Sequence, residues 1–277
     1  MARSSPLRRL GFGLFCSIIV VLCLFPFYWA MVSSLKSGTE IFATDLWPKA
    51  LTFQNYGTIL QDASFGRSFL NSTLVALSTV GMALLLSITA SFALARIPFR
   101  GRKRILLAIL SVTMFPQVAV LSGMFELVRF FGLYNHCSAL ILSYMTITVP
   151  FTAWTLTNFM REIPKELEEA AIIDGASYLT ILVKIFLPIL SPALVTTGLL
   201  AFIAAWNEFL FALTFTLTNQ ARTVPVAISL LSGASQHELP WGNIMAASVL
   251  VTLPLVVLVV IFQRRIISGL TVGAVKG

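Results

Sequence analysis

Three groups of residues in this 277-residue chain have the type and spacing to do chemistry. Glu166, Glu168, Glu169 and Asp174 place four of the sequence's eleven carboxylates within ten residues. Trp206-Asn207-Glu208 sets a flat aromatic ring, an amide and a carboxylate in a row. His136, His237, Cys16, Cys23 and Cys137 are the remaining candidates, and they are scattered. Catalysis is the poorest fit to this set. There is no HExxH, no CxxC and no GxxxxGK[ST], so neither a metal site nor a phosphate cradle can be drawn from the pattern. No nucleophile–base pair can be assembled either, and the chain is not expected to be an enzyme. Recognition remains: carboxylates that meet cations on another surface, and an amide–carboxylate pair that can hydrogen-bond a polar solute.

The elements that position these residues must lie outside water. Only 11% of residues are charged and 57% are hydrophobic, with a mean hydropathy of +0.90. A soluble domain carries about a quarter charged residues to face water. Residues 10–35, 68–95, 105–125, 130–160, 185–207 and 239–263 contain no Asp, Glu, Lys or Arg. A spanning helix needs about 20 apolar residues, so each run is long enough. None alternates as a barrel strand does, and backbone amides in hydrocarbon must pair within the segment. The expectation is an all-α membrane protein forming a single transmembrane domain over residues 1–277. Its six spans fall near 12–35, 69–95, 105–125, 138–160, 185–216 and 243–263. The three cysteines read as small apolar side chains, and Pro26, Pro116, Pro150, Pro192 and Pro254 as sites of kinks.

Lys and Arg in the connections orient the chain. Fourteen fall on the side that holds both termini, five of them in Arg96, Arg100, Arg102, Lys103 and Arg104, and five on the other. That puts both termini and the acidic stretch in the cytoplasm. It also accounts for the net charge of +8 without a nucleic-acid partner. The larger connections on the opposite side, near 36–68 and 218–240, are too short to be independent domains.

The acidic stretch reads as a short helix over about 164–176. Pro164 suits a first turn, and Glu166, Glu168 and Glu169 follow where the helix dipole favours negative charge. Leu167, Ala170 and Ala171 are spaced to share a face, Gly175 stops the helix, and Ser177 caps the next. Small residues let another surface approach closely. Anionic lipid headgroups would repel these carboxylates, so a basic protein surface fits better than the membrane.

Glu169-Ala170-Ala171, three residues, Gly175, nine residues and Ile185-Phe186-Leu187-Pro188 resemble the EAA motif of ABC importer permeases. Trp206-Asn207-Glu208-Phe209 resembles the fifth span of sugar permeases, and FQRRIISGLTVGAVKG is similar to the C-terminus of the maltose-type six-span subunit. REIPKELEEAAIIDGA and the TVPVAI…GASQ loop look closest to trehalose- and maltose-importing members. The resemblance covers essentially the whole chain. It implies a type I ABC importer permease fold in a bacterial inner membrane. The acidic helix, between spans 4 and 5, would be a coupling helix. Glu166, Glu169, Ala170, Ala171, Asp174, Gly175 and Ala176 would then dock onto an ATP-binding subunit. It further implies a second homologous permease, two ATP-binding subunits that hold the ATP and Mg, an extracytoplasmic sugar-binding protein, and a di- or oligosaccharide as substrate. Gly273, Val275 and Lys276 of the tail would reach the ATPases.

Trp206, Asn207 and Glu208 keep two readings: a cavity lining for sugar hydroxyls, or an interhelical hydrogen bond near the interface. Asn71 reads as a cap opening the second span, and Glu126 with Arg129 as a minor pair on one helix face. The competing function is a self-contained secondary transporter or channel. Such carriers usually need intramembrane ionisable groups, and Glu208 is the one acid deep in an apolar run.

Overall fold

The computed structural model of the protein describes residues 6–231 and 239–272. Among them the regular structure is helical, with no strand. Among the described residues, four helices are long and apolar enough to cross a membrane: α1 (Pro6–Ser34), α3 (Ala63–Arg96), α6 (Cys137–Glu162) and α13 (Trp241–Val272). A short α2 (Gln54–Gln61) precedes α3, and a short α12 (Val224–Ser229) comes before α13 in the chain. Two further apolar segments are bent. α4 (Arg102–Val112) and α5 (Gln117–Phe130) meet at 95°, across a break that ends in Pro116. Tyr178–Ile189 and α10 (Ser191–Trp206) meet at 79°, with Pro188 and Pro192 on either side of Leu190. Counting each bent pair as one span gives six. Proline removes a ladder hydrogen bond, yet Pro26, Pro150 and Pro254 sit inside continuous helices. The sharp bends are at Pro116 and at the Pro188–Pro192 pair.

The chain forms two compact units, residues 1–65 with 228–253, and residues 66–227 with 254–277. In the first, the end of α1 is tied off by side chains. Lys36 is fully buried; its Nζ donates to the carbonyls of Ala43 (3.0 Å) and Asp45 (2.7 Å) and lies 4.9 Å over the Trp29 ring. Asn55 of α2 donates from Nδ2 to the carbonyls of Ser34 (2.8 Å) and Lys36 (2.9 Å), groups that a helix C-terminus leaves without partners. Gly242 of α13 approaches this amide so closely that a Cβ there would lie 2.7 Å from Asn55 Nδ2.

In the second unit α6 is the central helix. It packs on α4 and α10, and it buries Leu140, Tyr144, Leu156 and Met160. Small residues at Ala139, Ala153, Ala193 and Ala205 are buried as well, which lets helices approach where lipid offers no hydrophobic drive. Ser87 and Ser91 of α3 donate to the carbonyls of Val149 (3.3 Å) and Ala153 (2.9 Å) of α6. Asn71 lies inside α3, not at its start, so it does not cap the span. Its Nδ2 instead donates to the carbonyls of Gln220 (2.8 Å) and Arg222 (2.9 Å). Arg129 lies over the Phe125 ring, 5.9 Å from its centroid.

Candidate functional site

The acidic stretch forms helix α7 (Lys165–Ile173), with Pro164 at its N-cap and Glu166 and Glu168 in its first turn. Its C-terminus is closed by a Schellman motif. The N–H of Ala176 donates to Ala171 O (2.9 Å) and that of Gly175 to Ile172 O (3.0 Å), with Gly175 at φ +77°. That backbone conformation explains the glycine. Ser177 then accepts from the N–H of Thr180 (3.3 Å) and starts α8 (Tyr178–Ile181). One π-helical turn, Leu182–Phe186, and the short α9 (Leu187–Ile189) lead to α10.

The two faces of α7 are not as the spacing suggests. Ala170 is exposed, whereas Ala171 is buried. Ala171 belongs to an apolar cluster with Phe92, Leu156, Met160, Ile163, Ile181 and Phe186, against which Ala176 is partly buried. A small residue at 171 therefore lets α7 sit close on α3, α6 and α8. The outward face carries Glu166, Glu169, Ala170, Ile173 and Asp174, with Ile173 86% exposed. It combines carboxylates with a protruding aliphatic side chain, a surface suited to a basic, partly apolar groove.

Beneath that face lies a residue that the sequence presents only as one more orienting cation. The Arg96 side chain is 4% exposed. Its Nη2 donates to the carbonyls of Met160 and Ile163, the latter at 2.5 Å. Nη1 lies 3.7 Å from Glu168 Oε2, and the guanidinium lies 4.8 Å over the Phe186 ring. Nothing in the local pattern signals this, because the partners lie 64 to 90 residues away.

The amide–carboxylate pair is split by the structure. Trp206 is 2% exposed, edge-on to Phe69 (5.6 Å between centroids) and stacked on Phe202 (5.4 Å). Glu208 is 7% exposed and restarts the chain after α10. Its two oxygens accept from the N–H groups of Phe211 (2.9 Å) and Ala212 (3.2 Å) at the head of α11 (Leu210–Phe215). A carboxylate at a helix start satisfies donors that would otherwise be orphaned. The Tyr144 hydroxyl lies beside it without reaching hydrogen-bond geometry. Only Asn207 is exposed; its Nδ2 donates to Ile203 O (2.9 Å). Gly273, Val275 and Lys276 lie outside the described residues. Among the described residues, no three His, Cys, Asp or Glu side chains gather as a metal site.

Residues 83–272 match the family of binding-protein-dependent transport system inner membrane components. The chain is 41% identical over 281 positions to the trehalose/maltose transport system permease protein MalG of Thermococcus litoralis, covering 99% of each. It is 41% identical over 261 positions to the trehalose transport system permease protein SugB of Mycobacterium tuberculosis, covering 94% of this chain and 95% of that protein. Among solved structures, a chain of a bacterial ABC transporter involved in the import of the acidic polysaccharide alginate superposes with a TM-score of 0.83 at 22% identity, covering 95% of this chain and 99% of that one.

Proposed function

Because the chain belongs to the family of binding-protein-dependent transport system inner membrane components, we propose that it is the permease subunit of an ATP-driven importer of a trehalose- or maltose-like sugar. It is a multi-pass, non-catalytic transport subunit. In this reading it lies in a bacterial inner membrane with both termini in the cytoplasm. It pairs with a second homologous permease, two ATP-binding subunits that carry ATP and Mg, and an extracytoplasmic sugar-binding protein.

The observation that carries this reading is the two-faced helix α7. Its inner face is fixed to the membrane helices through Ala171, and its outer face presents Glu166, Glu169, Ala170, Ile173 and Asp174. A helix anchored on one side and open on the other can transmit a partner's movement. Closure of the ATPase pair around ATP would displace α7 and, through it, the spans. Of the three residues proposed for the substrate pathway, Asn207 has the exposed side chain, while Trp206 and Glu208 shape the break that presents it.

Co-expression with the two ATPases, the second permease and the binding protein tests the proposal directly. The complex should co-purify, and trehalose or maltose should stimulate its ATPase when the binding protein is present. Ala170→Arg places a bulky cation on the exposed face and should abolish uptake while leaving the subunit inserted. Wild-type uptake by an assembled Ala170→Arg complex would overturn the docking assignment. Ion-driven uptake by this chain alone in liposomes, without ATP, would overturn the importer reading.

A further inference from the structure

We propose that Arg96 is a positioning residue that locks α7 to α3, α6 and the π-helical turn, so that a push on α7 reaches the spans as one rigid movement. This rests on the importer reading above, in which α7 is the element that a partner moves. A cation that only orients the chain needs to be near headgroups, with its charge in water. Arg100, Lys103 and Arg104 meet that description, because all three are exposed. Arg96 does the opposite and turns its guanidinium inward.

The lock follows from the shape of the guanidinium. Its planar fork addresses several acceptors at once, which an ammonium does not do as well. Nη2 takes the carbonyls of Met160 and Ile163 at the C-terminus of α6, where the helix has unpaired acceptors and a negative dipole end. Nη1 turns toward Glu168 of α7, and the flat face rests on Phe186 of the π-helical turn. One side chain rooted in α3 thus joins three other elements. It also divides the acids of α7. Glu168 is half-buried toward Arg96, whereas Glu166 and Glu169 remain exposed for a partner.

The test is the ratio of sugar imported to ATP hydrolysed by the assembled complex in liposomes, with trehalose and maltose as probes. Arg96→Ala should lower that ratio by about tenfold, within the range of ordinary coupling energies, while basal hydrolysis per assembled complex stays near wild type. Arg96→Lys keeps a cation over Phe186 and should rescue part of the ratio. Glu168→Gln should lower it less than Arg96→Ala, and Lys103→Ala should leave it unchanged. If Arg96→Ala does not assemble, Arg96→Lys decides. A wild-type ratio in Arg96→Ala, or in Arg96→Lys where that variant alone assembles, overturns the lock. If the wild-type complex itself shows no ATP-driven uptake, the importer reading fails instead.

Discussion

Two buried cations in this molecule are held by the same recipe and serve different ends. Lys36 and Arg96 each donate to two backbone carbonyls and lie over one aromatic ring, Trp29 or Phe186. The carbonyls of Lys36 are seven and nine residues away, so it closes a local loop. Those of Arg96 are 64 and 67 residues away, and a carboxylate of α7 is added. A buried charge needs several partners in any setting. Where the partners lie along the chain decides whether the charge shapes a loop or joins helices.

Substitutions can break or sharpen that contrast. Arg96→Ala leaves two carbonyls and Glu168 without their cation, a loss of about 3–5 kcal/mol for a buried ionic partner. Hydrogen exchange should speed up together in α7, at the end of α6 and in the π-helical turn. Lys36→Met keeps the apolar length and removes the donors, at a cost of about 2–3 kcal/mol. Its effect should be confined to residues 37–53, and faster exchange at 160–186 would erase the distinction between local and long-range cations. Gly242→Ala pushes a methyl group into an Asn55 amide already held by two carbonyls. It should lower the melting temperature of the purified protein, for about 1–2 kcal/mol of overpacking. Glu208→Gln removes one of two oxygens that accept at the head of α11, at about 1 kcal/mol. If it changed which sugar is imported and left melting unaltered, Glu208 would be a substrate contact rather than a cap.

Much of the fold was legible because charge is so scarce. Charge-free runs mark apolar helices in any order of packing, and Gly175 with Ser177 announced the end of one helix and the start of the next through local backbone chemistry. The bends at 113–116 and 190 were not legible. A hydropathy count is blind to direction, and five span prolines look alike until their neighbours decide which one kinks. At the site, the acidic helix could be read from a ten-residue window. The inward turn of Ala171 could not, because adjacent positions on a helix are about 100° apart and only the packing partner selects one. Asn71, Glu208 and Arg96 share a further limit. Each bonds backbone groups, and carbonyls and amides leave no trace in side-chain spacing.

The π-helical turn is also a matter of phase. Leu187 N–H donates to Leu182 O, five residues back, so the turn holds one residue more than an α-helical turn would. That surplus residue is included in the nine-residue interval between Gly175 and Ile185. The widened turn takes up that residue in place, so the helix on either side keeps the facing that a continuous α-helix one residue shorter would have. Excising Val183 should let the coil tighten to ordinary pitch and leave Phe186 facing Phe92, 5.5 Å away, whereas excising a residue from the α-helical turns of α10 would swing its two sides about 100° apart. The motif's count of residues thus contains one tooth of play, taken up in this turn.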